Sequence, residues 1–228
     1  MIVQQQVEKL LKVNIGCGQS ATPGWSNYDS SPSVLLAKVP FSLFVLGPAI
    51  DWLLSKEQRD FIAYACASQI AFGDATKGLP LRDSSCSVVY ASHVIEHLVS
   101  HDLHLFLREV LRILAPGGIL RLAVPDLQIF VDSYNSDGDA DAFVEKLNLL
   151  SPRQRGWLSH LRGAVTGGRT LHQWVYNETS LSALLLDSGF LQPVRLPAGT
   201  TTISDCGELN LHERSWESLY VEAVKPEL

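Results

Sequence analysis

Short apolar runs alternate with longer stretches whose apolar residues recur at helical spacing, the pattern of parallel strands joined by crossover helices. The first run, Leu11-Lys12-Val13-Asn14-Ile15, is closed by Gly16, and Asn27-Tyr28-Asp29 ends a second. Residues 68–72 are short and partly polar, as suits an edge strand. Residues 87–91 and 118–124 are more continuously apolar and suit central strands. Two more strands are predicted at 193–196 and 219–224. Before the fifth strand, Leu103, Phe106, Leu107, Val110, Leu111 and Leu114 fall on one helical face, predicting a helix over 102–114. Ala115-Pro116-Gly117-Gly118 stops it. Leu181, Leu184 and Leu185 mark another helix, ended by Gly189. Neither an internal repeat nor a low-complexity tract is present.

The length of 228 residues suits one α/β domain over 1–228, with insertions at about 32–67 and 127–169. A net charge of −6 argues against a partner whose phosphates would be tracked by a basic face, so no nucleic acid is expected. Arg153, Arg155, Arg162 and Arg169 read as a solvated loop. Cys17, Cys66, Cys86 and Cys206 contain no close pair, which points to reduced thiols and a cytoplasmic setting. Residues 1–12 are too polar for a signal peptide. Residues 39–50 are uncharged and apolar, yet shorter than the roughly 20 residues of a membrane span, and Pro40, Gly47 and Pro48 interrupt them. The run from Val34 to Leu54 therefore reads as an extra helical layer, with a lid or a groove for a lipid-linked acceptor as alternatives. The oligomeric state is open.

A strand ending in Gly16-Cys17-Gly18 permits a sharp bend and close approach of a ligand to backbone. With Ala21 it also satisfies the dinucleotide fingerprint G-x-G-x-x-A. Spacing separates the two readings. Pro23-Gly24-Trp25 forbids the long helix that would face a pyrophosphate, and Asp29 follows Gly18 by eleven positions rather than about twenty. A ligand without a pyrophosphate fits better. Asp29 can accept from two ribose hydroxyls, Asp74 from an exocyclic adenine amine, and the Ala75 N–H can reach a ring nitrogen. The acids also suit a cationic sulfonium, and the order of these parts is the one S-adenosylmethionine binding needs.

Gly16-Cys17-Gly18 followed by Pro23-Gly24-Trp25-Ser26-Asn27-Tyr28-Asp29 resembles class I S-adenosylmethionine-dependent methyltransferases of the bacterial small-molecule and glycan type. So do Gly73 to Leu81, Val88-Val89-Tyr90-Ala91-Ser92-His93-Val94-Ile95-Glu96-His97, and Leu111 to Gly118. The segments His172 to Glu178 and Ser218 to Ala223 are similar more loosely. The resemblance implies a Rossmann-like, seven-stranded, mostly parallel sheet with helices on both faces and an antiparallel C-terminal hairpin. It places the cofactor at Asn14, Gly16, Cys17, Gly18, Asp29, Asp74, Ala75, Ser92 and His93. Ser20 stands where the family often has a third glycine, and Ser87 where it often has an acid.

His93-Val94-Ile95-Glu96-His97 also matches H-x-x-E-H, in which two histidines on one helix bind zinc and a glutamate acts as base. A zinc hydrolase is therefore one alternative, and a cofactor-binding module without chemistry is another. The preferred expectation assigns no metal and places this loop beside a transferable methyl group. The acceptor would be a hydroxyl of a small molecule or saccharide. His93 is the first candidate base, because imidazole titrates near neutrality. Glu96 and His97 would orient it across a helical turn, and His172 would face the acceptor. Trp25, Trp174 and Tyr176 would line a pocket or pack in the core.

Overall fold

Seven strands pair in the order β3-β2-β1-β4-β5-β7-β6. They are β1 (Leu11–Ile15), β2 (Ser26–Asp29), β3 (Ala71–Phe72), β4 (Cys86–Ser92), β5 (Leu114–Pro125), β6 (Leu191–Leu196) and β7 (Ser218–Val224). The computed structural model describes residues 9–38, 56–149 and 171–227. The first five strands run parallel, and β7 pairs antiparallel with both β5 and β6. This is the expected mostly parallel sheet with an antiparallel C-terminal hairpin. Helices α1 (Pro32–Ala37), α2 (Lys56–Ala67), α3 (Ser100–Ile113), α4 (Leu127–Asp137), α5 (Ala140–Leu147) and α6 (Glu178–Asp187) pack around it.

Strand alternation divides the interior into two cores. Val13, Ile15, Val89, Ala91, Leu120, Leu122, Val124, Leu219 and Val221 face one side, where Phe106, Leu107, Val110 and Ile113 of α3 and Leu181 and Leu185 of α6 cover them. Val88, Tyr90, Ala123 and Tyr220 face the other and meet Trp25, Ile203 and Leu209. Trp25 is thus a packing residue, and much of this second face is covered by the chain between β6 and β7. The buried stripe of α3 recurs at i, i+3, i+4 and i+7, which is why the helix was legible from its spacing.

Three boundaries move from the sequence expectation. β3 keeps only two residues because Gln69, with φ of 53°, turns the chain out of α2 and leaves no extended backbone before Ala71. α3 stops at Ile113, since Leu114 is already extended and pairs with Cys86. β6 begins at Leu191, but its pairing is irregular up to Val194, where Gln192 has φ of 51° and Pro193 has no N–H to donate.

The insertion expected at about 32–67 contributes helices. Ser31 caps α1 through its hydroxyl, with Pro32 at the first turn. Val34, Ala65, Ile70 and Cys17 form a small core with Phe61 and Tyr64 packed on it, and the Cys66 thiol donates to the Ala37 carbonyl. Of the run from Val34 to Leu54, only residues 34–38 are described, within α1 and its end. The apolar run 39–50 and the arginines Arg153, Arg155, Arg162 and Arg169 lie outside the described residues. Among the described residues, no helix is long and apolar enough to cross a membrane.

Candidate active site

Parallel pairing brings the C-terminal ends of β1 to β4 to one edge, where ligands of such sheets bind. The Gly16 and Cys17 N–H groups donate to Tyr28 O, and the Gly73 N–H donates to Asp29 O. The glycine turn, Asp29 and the Gly73-Asp74 turn are thereby adjacent. Gly16 has φ of +68°, and a Cβ there would lie 2.4 Å from Val94 Cγ2. The turn therefore packs directly on the histidine loop. Gly18, at φ of +48°, has nothing within 4 Å of the position a Cβ would take, an open cradle of the kind a ligand fills.

Asp29 is half-buried at the end of β2. Its Oδ2 accepts from Gly18 N at 3.0 Å and its Oδ1 from Ser31 N at 2.7 Å. Asn14 is buried and donates to Ser20 O and Thr22 Oγ1, so it shapes the loop that carries the glycines. The Cys17 side chain points into the small helical core. Burial, and then the neighbouring Asp29 charge, push its thiol up to about 12. Only its backbone is available to a ligand. The same holds for Ala75, whose methyl sits in the main core. Asp74 accepts from Thr76 N and Oγ1 and from Lys77 Nζ. Burial alone would raise its carboxyl, but these hydrogen bonds prevail and hold it below its usual range.

Ser92 ends β4, and His93 follows in the left-handed region at φ of 52°. Its N–H donates to Ala123 O of β5. A non-glycine residue there stores strain, which collects at functional sites. Residues Ile95–His97 then form a 3-10 turn. The helical-turn expectation for 93–97 is corrected by this backbone: a left-handed residue and a 3-10 turn replace the α-helix that presents both histidines of a zinc hydrolase to one ion.

His93 Nδ1 lies 3.2 Å from Arg214 Nη1, and Nε2 lies 3.0 Å from Ser218 Oγ. A guanidinium only donates, so Nδ1 accepts and Nε2–H donates to Ser218. Glu96 Oε1 is 3.2 Å from the same Nδ1. Glu96 is fully buried, and neither carboxylate oxygen accepts a hydrogen bond among the described residues. His97 and His172 stack at 5.0 Å between ring centroids. The structure thus brings together all four residues expected on the acceptor side. Tyr176 is buried nearby, its phenol raised to about 12 by burial and then by the Glu96 charge. Trp174, at 61% exposed, is a surface residue. A surface groove of about 580 Å³ lies along residues 21–28 and 67–71, away from this cluster.

Sequence reasoning missed Glu213, Arg214 and Ser218. Glu213 accepts from Ser20 Oγ at 2.8 Å and Tyr90 Oη at 3.0 Å, tying the segment before β7 to the glycine loop and to β4. Ser218 opens a segment of loose family resemblance, but the contacts to Ser20, Tyr90 and His93 span more than a hundred positions and leave no local signal.

Comparison with known proteins finds methyltransferases. A family described as methyltransferase domain matches residues 50–122. An S-adenosylmethionine-dependent methyltransferase from Methanosarcina mazei shares the fold at TM-score 0.50 and 15% identity, over 97% of this chain and 94% of that one. A second, from Thermotoga maritima, is similar at TM-score 0.49 and 16% identity, over 96% and 84%. A chain from the Haloferax volcanii complex of the Trm112 methyltransferase activator with a methyltransferase is similar at 0.48 and 19%, over 97% and 84%. No curated protein sequence matches. The chain thus shares the fold of an S-adenosylmethionine-dependent methyltransferase, and its residues 50–122 match a methyltransferase-domain family.

Proposed function

We propose that the acceptor is a hydroxyl of a small molecule or saccharide, bound against His93, Glu96, His97 and His172. The carrying observation is the packing of Gly16 on Val94, which sets the cofactor turn and the histidine loop side by side. When bound, S-adenosylmethionine supplies an activated methyl carbon on a sulfonium. Gly16, Cys17 and Gly18 would hold it through backbone, Asp29 and Asp74 through carboxylates, and Ala75 through its N–H, with Ser92 and His93 at the methyl end.

The acceptor side is built to position rather than to crowd. Alignment of reacting groups alone is worth about 7–11 kcal/mol. Both His93 nitrogens are engaged, by Arg214 and Ser218, so His93 would have to release one contact to serve as base. Its first task is to fix the loop. The half-buried imidazoles of His97 and His172 then face the acceptor hydroxyl, with the buried Glu96 carboxylate behind them.

Labelled-methyl transfer to a panel of hydroxyl, amine and carboxyl compounds tests this reading. The expected product is a base-stable methyl ether. Label recovered only in amines or in base-labile esters contradicts the hydroxyl assignment.

A further inference from the structure

We propose that Glu96, His97 and His172 bind one divalent first-row transition-metal ion, a set in which His172 stands where the sequence motif offers His93. Its role in holding an acceptor oxygen rests on the methyltransferase reading; binding of the ion does not.

The carboxylate is the first reason. Glu96 is fully buried and accepts no hydrogen bond among the described residues, and a carboxylate so placed is costly unless a cation compensates it. The imidazoles are the second. Leu171 O lies 3.2 Å from His97 Nδ1, and Leu147 O lies 2.9 Å from His172 Nδ1. A carbonyl only accepts, so each Nδ1 carries its proton and each Nε2 keeps a lone pair. Donation of the other ring N–H to a backbone carbonyl is how proteins orient metal-binding histidines.

Distance is the third. One ligand atom from each of the three residues lies within 4.8 Å of the others. Donors around a four-coordinate zinc, each about 2.0–2.1 Å from the ion, are separated by roughly 3.3 Å, so modest side-chain rotation closes the site. The backbone holds the two contributing segments together, because Gln173 N and Trp174 N both donate to Glu96 O and His172 N donates to Asn148 O. Two imidazoles with one carboxylate favour zinc, iron, cobalt or manganese over magnesium and calcium. Three protein ligands also leave a position for an oxygen of the acceptor.

The test is titration of zinc chloride into chelator-treated full chain, with S-adenosylhomocysteine titrated into the same preparations. One zinc per chain is expected, with affinity reduced tenfold or more in Glu96→Gln and His172→Ala. His104→Ala, on the exposed face of α3, should match wild type. His172→Ala decides the matter should Glu96→Gln fail to fold. Absence of saturable zinc binding, or binding unchanged in the variants, overturns the site. Cofactor binding without zinc overturns the metal site alone; zinc binding without cofactor binding leaves it standing and overturns the cofactor reading.

Discussion

Two residues carry unusual backbone at the centre of the site, and each has a separable energetic signature. Gly16→Ala meets both a positive φ and a contact of 2.4 Å with Val94 Cγ2. The left-handed conformation costs an alanine about 1–2 kcal/mol, and the overlap adds to it. In a denaturant titration, Val94→Ala combined with Gly16→Ala should recover the overlap and leave the backbone cost. Complete recovery, or none, would contradict the contact. His93 at φ of 52° should tolerate asparagine, which accepts this conformation, better than valine, which would lose a further 1 kcal/mol or about that. At this scale the sequence was partly legible. The glycines announced a turn, and the histidine motif marked the loop on which that turn packs. The partners of His93 were hidden, because Arg214 and Ser218 lie 121 and 125 positions away and only the closed sheet brings them near.

Among the elements, the β5–β7 pair contains the most consequential buried charges. Arg121 Nη1 donates to Glu222 Oε1 at 2.6 Å, with both residues essentially inaccessible. Glu222 also accepts from Thr201 Oγ1, Thr202 N and Thr202 Oγ1. Burial would raise its carboxyl, but the hydroxyl, amide and guanidinium donors prevail and hold it below its ordinary 4.5. A lowered folded value means stability that is complete above the ordinary carboxylate range and is lost as pH falls through the depressed value. Urea midpoints should therefore drop between pH 5 and strongly acidic buffer, and Glu222→Gln should remove this share of the drop. At neutral pH the same variant leaves Arg121 uncompensated and should cost about 3–5 kcal/mol, whereas Arg121→Met added to Glu222→Gln should recover part of that loss. An equal loss in single and double variants would contradict the pairing. The strands around this pair were readable from apolar runs and α3 from its spacing. Boundaries at Gln69, Leu114 and Gln192 were not, since local turns and pairing decided them.

For the whole molecule, parallel topology accounts for the site. Residues from four strand ends, remote in sequence, share one edge only because β1, β2, β3 and β4 run the same way. That edge was inferable from strand order, and its acidic residues from their succession. The closing segment that brings Glu213 onto Ser20 and Tyr90 was not, as its pattern is neither helical nor alternating. As proposed above, this edge binds S-adenosylmethionine with Asp29 as a principal contact. Isothermal titration of S-adenosylhomocysteine into the wild-type chain and Asp29→Ala measures it directly. Saturable binding at one site is expected, weakened about tenfold or more in the variant, the scale of a lost charged hydrogen bond. No binding by wild type at high micromolar ligand, or equal affinity in the two proteins, would contradict the account.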